Sequence, residues 1–212
     1  PIFMQRNSLF NIHTVSDFEN YSLEIFKFQA KNNLVYRDYL NHLNVGVSNI
    51  KHLNQIPFLP IQFFKSHKII SSKKKIQKTF LSSGTTGTIQ SKHFVTDLSI
   101  YEESFIKGFE YFYGTVKNYT VLALLPSYLE RKGSSLIYMT SDLIKKSEKP
   151  KSGFYLNNLS DLHKNLIELE EKNEKVLLIG VSYALLDLVE KFKFKLENTI
   201  VMETGGMKGR RK

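Results

Sequence analysis

From about Gln77 onward, short apolar runs of strand length alternate with stretches patterned as amphipathic helices, and this rhythm limits the fold more than any other feature of the chain. Thr79 to Leu81, Val121 to Leu125, Gly153 to Leu156, Val176 to Ile179 and Thr199 to Met202 read as strands. Between them lie four helices. One is capped by Ser99 with Glu102 and ends at Gly114, a second runs from Ser135 to Lys146, a third carries Leu162, Leu166, Ile167 and Leu169 on one face, and the last spans Ala184 to Phe192. Strand and helix in this alternation predict an α/β fold: a mainly parallel sheet flanked by helices. Ligands of such sheets bind outside the carboxyl ends of the strands. The turns after Leu81, Leu125, Ile179 and Met202 are therefore where chemistry is expected.

The first third is patterned differently. Ser16 with Glu19 has capping-box spacing, and Phe18, Tyr21, Ile25 and Phe28 follow as a helical stripe. Leu34 to Leu43 predicts a second helix, whereas Pro57 and Pro60 force an extended or turning path. The expected organisation is a mostly helical segment over residues 1–75 packed on an α/β domain over 76–212. The aromatic clusters Phe63-Phe64 and Tyr111-Phe112-Tyr113 are expected in the core.

Composition removes several function classes. With 42% hydrophobic and 24% charged residues the chain has a core and is not disordered. No apolar run approaches the ~20 residues of a membrane span. The absence of cysteine excludes a disulfide framework, a thiolate metal site and a cysteine nucleophile within these residues. It fits a reducing compartment, so a cytoplasmic location is expected. The net charge of +10 has two readings, an anionic partner or compositional drift. Arginine, the residue of bidentate base contacts, occurs only 5 times against 25 lysines, so nucleic acid is not the expected partner. The run Lys73-Lys74-Lys75 with Lys78 reads as a solvated loop. No His-Glu-x-x-His or calcium-loop spacing occurs, so no protein-held metal is expected.

The turn Ser82-Ser83-Gly84-Thr85-Thr86-Gly87 is the richest in chemistry. Its glycines permit close approach of the backbone to a ligand, its N–H groups are able to converge into an anion nest, and its hydroxyls add donors. Lys92 follows five residues later and is the candidate catalytic cation. No Gly-Lys-Ser/Thr follows, so this is not a Walker A loop. Composition alone leaves phosphate binding and an ordinary polar turn both open. Glu203-Thr204-Gly205-Gly206 is a second glycine turn after a strand. Gly180-Val181-Ser182-Tyr183-Ala184 misses the Gly-x-Ser-x-Gly nucleophile elbow by its last residue. A serine hydrolase is the alternative it raises. None of the six histidines follows Ser182, contrary to the hydrolase order. Ser182 is expected instead to cap the helix, with Tyr183 and Ala184 lining the cleft.

Phe80-Leu81-Ser82-Ser83-Gly84-Thr85-Thr86-Gly87 with Lys92 resembles the phosphate loop of the adenylate-forming superfamily, whose members join a carboxylate to ATP. Three further stretches are similar to the LuxE-type acyl-protein synthetases of that superfamily. They are Ile56-Pro57-Phe58-Leu59-Pro60-Ile61, the stretch from Leu125-Pro126-Ser127-Tyr128 to Leu136, and the stretch from Glu203-Thr204-Gly205-Gly206 to Arg211. The resemblance covers most of the chain from about residue 55. It implies that Ser82, Ser83, Gly84, Thr85, Thr86 and Gly87, with Lys92, hold the phosphates of ATP. It places Gly205 and Gly206 beside the adenine, and Ser127, Tyr128, Ser182 and Tyr183 along the acyl and nucleotide cleft.

The implied reaction uses ATP and Mg²⁺ to convert a carboxylic acid, expected to be a fatty acid, into an acyl-adenylate. The acyl group then passes to a thiol acceptor: a protein cysteine, a carrier protein or coenzyme A. Phenylacetate–coenzyme A ligases share the Ser-Ser-Gly-Thr-Thr-Gly loop and are the neighbouring alternative. A non-catalytic nucleotide- or nucleic-acid-binding domain is the alternative of another class. The family's Tyr-Gly-x-Thr-Glu motif, its ribose-binding aspartate and its small lid domain are all expected downstream of Lys212. Residues 1–212 are therefore expected to form the larger part of an adenylating domain, inactive by themselves.

Overall fold

The computed structural model describes residues 9–82, 89–125, 133–155 and 158–205. The chain divides into two compact units, Pro1–Ser104 and Phe105–Lys212.

The first unit begins with helices α1 (Val15–Asn32) and α2 (Leu34–His42). Asn33 joins them: it closes α1, and its side chain accepts from the Tyr36 N–H to start α2. The capping box of α1 is Thr14 with Asp17, not Ser16 with Glu19. Asp17 N–H donates to Thr14 Oγ1 at 3.0 Å, and Thr14 N–H donates back to the Asp17 carboxylate at 3.0 Å. Ser16 is already inside the helix, and Glu19 accepts instead from Leu53 N–H, at 3.2 Å. Thr14→Ala should therefore cost about 1 kcal/mol in urea unfolding, whereas Ser16→Ala should be close to neutral.

The stripe of α1 that packs is also not the expected one. Phe26 and Ala30 are buried with Tyr36, Leu40 and Ile50, backed by Leu23 and Leu59. Phe18 and Phe28 are about half exposed, at 48% and 49%. The helix carries two apolar stripes, and α2 covers only the one through Leu23, Phe26 and Ala30. After two short 3-10 turns and the four-residue helix α3 (Phe63–Ser66), the chain forms an antiparallel hairpin of β1 (Lys78–Leu81) and β2 (Lys92–Val95). The strand β2 was not anticipated. Leu81 accordingly lies in a separate two-stranded sheet, and the rule for parallel sheets does not apply to the turn after it.

The second unit is the α/β layer structure that the rhythm predicts. Helix α4 (Leu98–Tyr113) leads into it and ends at Gly114, whose φ of +75° is the left-handed conformation that glycine adopts freely. The helix starts at Leu98, so Ser99 lies within it, where its hydroxyl donates to Asp97. Four parallel strands follow in the order β4-β3-β5-β6: β3 (Thr120–Leu124), β4 (Gly153–Phe154), β5 (Val176–Val181) and β6 (Thr199–Thr204). Helices α5 (Ser135–Ser147), α6 (Leu159–Glu171) and α7 (Ser182–Lys191) connect them.

Along β5, Val176 and Leu178 join one core, with Leu122, Leu162 and Leu166, while Leu177 and Ile179 join the other, with Val121 and Phe109. Alternation of this kind buries both faces of β3 and β5. On α4 the residues facing the core are Phe105, Phe109 and Tyr113, one turn apart. Tyr111 and Phe112, expected inside, are exposed: Tyr111 falls on the side of the helix away from Phe109, and Phe112 stands in its last turn.

Two carboxylates tie the helices to the loops of this unit. Glu170 accepts from the N–H groups of Glu197 and Asn198 ahead of β6, and these bonds hold its carboxyl below the ordinary range. Glu168 lies between Lys151 and Lys172, whose hydrogen bonds bring its carboxyl down from 4.5 to about 2. A folded-state pKa below the unfolded one adds stability that is complete above about 4.5 and is lost as pH falls toward about 2. Glu168→Gln should therefore lower the neutral plateau of a stability–pH curve and flatten its acid limb in that window, with stability at the acid end little changed.

Candidate functional site

The candidate residues fall in two places, one in each unit. In the first unit they stand at the neck of the β1–β2 hairpin. Leu81 pairs with Lys92, so the ten residues between them form the hairpin's loop. Ser82 closes its base: its N–H donates to the Ser91 carbonyl at 3.0 Å, and its hydroxyl oxygen accepts from the Ser91 N–H at 3.0 Å. In a regular antiparallel ladder that N–H would go to the facing carbonyl. Here the hydroxyl takes it, and the Ser82 carbonyl accepts instead from Gln90 Nε2 at 2.9 Å. The ladder thus ends at Ser82.

Lys92 is exposed beside this neck, with Phe80 and its ring partner Tyr101 behind the strand. A cation and a hydroxyl donor at the foot of a polar loop are groups that suit phosphate oxygens. Ser83, Gly84, Thr85, Thr86 and Gly87 lie outside the described residues, as do Ser127 and Tyr128 and the adenine-side Gly206.

In the second unit the candidates stand at the carboxyl ends of β5 and β6. Gly180 pairs with Glu203 and Val181 with Thr204. Helix α7 begins directly at Ser182, with Val181 as its N-cap and no side-chain cap. Ser182 therefore does not cap the helix as expected. Its hydroxyl donates across the sheet end to Glu203 Oε1, a contact that ties the start of α7 to the end of β6. Gly205 follows β6, exposed, with φ +83°, a conformation in which any other residue would be strained. Tyr183 is 2% exposed and belongs to the core, together with Ala184. Both side chains are part of the packing.

This arrangement also removes the support for a hydrolase. The serine of a nucleophile elbow sits in a strained turn and meets a histidine. Ser182 has no positive φ, and its hydroxyl is engaged by a carboxylate. Gly180 has a packing role instead: a Cβ there would stand 2.6 Å from Cγ and Cδ2 of Leu185, whose side chain would have to shift. Among the described residues no group of three or more His, Cys, Asp or Glu is placed to hold a metal, and no helix is long and apolar enough to cross a membrane.

Glu203 and Gln90 are the site-end residues that sequence reasoning passed over. Glu203 was readable in principle. Val201 and Glu203 are the exposed alternate positions of β6, and a carboxylate at the carboxyl end of a parallel strand lies where ligands bind. Gln90 gave no signal, since its role depends on the hairpin register. No protein-family model matches the chain, and no curated protein or solved structure matches it.

Proposed function

We propose that residues 1–212 are part of an ATP-dependent acyl-activating enzyme of the LuxE-like type. Its reaction would convert a carboxylic acid, of fatty-acid class, to an acyl-adenylate and pass the acyl group to a thiol. In this reading one carboxylate oxygen attacks the α-phosphorus of ATP, the bond from that phosphorus to the bridging oxygen breaks, and pyrophosphate leaves. Little covalent work falls to the protein; positioning and neutralisation of charge on the leaving group do the rest. Lys92 would supply a positive charge to the departing phosphates, and the Ser82 hydroxyl and the backbone of the loop through Gly87 would supply donors. Gly205 and Gly206 would border the adenine, where a side chain would intrude.

The observation that carries the reading is the hairpin neck. Lys92 faces Leu81 in register, and Ser82 latches onto Ser91, so the Ser/Gly/Thr loop is anchored with a lysine at its foot. Mg²⁺ bound with the phosphates would neutralise their charge and needs only one or two carboxylates from a protein. The acceptor thiol, whether of a protein cysteine, a carrier protein or coenzyme A, is the open variable of this reading.

The test is carboxylate-dependent ATP–pyrophosphate exchange by the complete gene product that contains these residues. Acids from acetate to long-chain fatty acids, and phenylacetate, would be compared. Exchange that depends on one class of acid would establish adenylation and identify the substrate. A folded protein that exchanges with none of them would refute the proposal and favour a domain that binds a nucleotide without chemistry.

A further inference from the structure

We infer that Glu203 is the residue that reads the nucleotide base, its carboxylate accepting from the 6-amino group of adenine while Ser182 holds it in place. The inference rests on the ATP reading above, which brings the base to the turn after β6. It adds to that reading the group that tells adenine from other purines.

Glu203 is the last exposed position of β6, at the end of the strand where parallel sheets bind their ligands. Among the described residues its hydrogen-bond donor is Ser182, whose hydroxyl meets Oε1. Oε2 is left to a ligand. Ser182 is itself fixed as the first residue of α7, and the pairing of Val181 with Thr204 brings it beside Glu203. The carboxylate is thus aimed before any ligand arrives, and less conformational freedom is lost on binding.

The surroundings suit a flat base. Gly205 follows two residues later, exposed and bare of side chain. Across the ladder the partner of Glu203 is Gly180, and the Leu185 side chain fills the space where a Cβ of Gly180 would stand. Val201, two residues before Glu203, adds exposed hydrocarbon. Of these residues only Glu203 carries a charge, so it supplies the polar contact. A carboxylate accepts hydrogen bonds and donates none. Adenine offers donors at its 6-amino group, whereas guanine and hypoxanthine turn a carbonyl to the same point, lone pairs against lone pairs. Guanine's N1–H and 2-amino donors would engage a carboxylate as a pair, through both oxygens, and Ser182 already has one of them.

The experiment is calorimetric titration of the complete gene product, without any carboxylic acid, with three nucleotides. They are ATP, purine riboside triphosphate, which has hydrogen in place of the 6-amino group, and inosine triphosphate, which has a carbonyl there. The parent should bind ATP at least about tenfold more tightly than either analogue, as expected when a hydrogen bond to a charged group is lost. Glu203→Ala should bind ATP about tenfold more weakly and no longer distinguish it from purine riboside triphosphate. Glu203→Gln keeps an acceptor and gains a donor, so it should retain most of the ATP affinity and bind inosine triphosphate better than the parent does. Glu203 is exposed, so both variants should melt like the parent, and a purely structural role would weaken all three nucleotides equally. The inference is overturned if the parent binds ATP and purine riboside triphosphate alike, if Glu203→Ala keeps the preference, or if no nucleotide binds. Its failure is separable from that of adenylation. A preference that depends on Glu203 without pyrophosphate exchange refutes the chemistry and leaves the base contact standing. Exchange with the preference unaltered in Glu203→Ala does the reverse.

Discussion

Lys92→Ala is expected to lower carboxylate-dependent ATP–pyrophosphate exchange in the complete protein by about 10²-fold, with the melting temperature within about 2 °C of the parent. The size follows from removing one preorganised charge-stabilising group, which typically costs 10²- to 10³-fold. The small effect on folding follows from position. Lys92 is exposed, its pairing with Leu81 runs through the backbone, and surface substitutions of this kind stay within about 0.5 kcal/mol. Lys92→Arg keeps the charge and should recover part of the rate, whereas Lys92→Gln should not. Exchange unchanged in Lys92→Ala would mean that this cation is merely solvated and that the neck serves only the hairpin. A large drop in melting temperature beside the lost rate would also count against the assignment, because the loss would then be one of folding.

The parts of this fold that are legible in the chain are those where burial is complete. Val121 to Leu125 and Val176 to Ile179 are continuous apolar runs because β3 and β5 are covered on both faces. Leu162, Leu166 and Leu169 mark the inner face of α6 unambiguously for the same reason. What was misread depends on choices between near-equivalent local options. Two capping boxes were available ahead of α1. Thr14 with Asp17 forms, because Glu19 bonds to Leu53, a partner 34 residues away in sequence that no local pattern announces. Two apolar stripes were available on α1, and only the position of α2 selects between them.

The hairpin was hidden by its partner strand. Lys92-His93-Phe94-Val95 has two exposed and two half-buried residues, too weak an alternation to register beside the apolar strands. At Ser182 the local rule that a serine before a helix caps it lost to a carboxylate 21 residues further on, brought alongside by parallel pairing. Local chemistry was read correctly where packing left a single option. It failed where a distant residue decided.

The pairing of β5 with β6 gives the sharpest stability contrast in the second unit. Leu178 and Val201 are direct register partners, yet Leu178 is 2% exposed and Val201 52%. Leu178→Ala should therefore cost about 2–5 kcal/mol, since it removes transfer energy and leaves a cavity among Leu122, Leu162 and Leu166. Val201→Ala should cost less than about 1 kcal/mol, because its side chain already faces water over half its surface and loses mainly strand propensity. Against a typical total stability of about 5–15 kcal/mol the first change is large. It should lower the thermal midpoint by about 10 °C or more. The chain has no tryptophan, so urea unfolding is best followed by far-ultraviolet circular dichroism and tyrosine fluorescence together. Equal costs at the two positions would show that β5 is not an interior strand of this sheet. Coincident transitions by both probes, with only Leu178→Ala shifted, would show that the unit unfolds as one and that the buried positions of β5, not the exposed ones of β6, carry its stability.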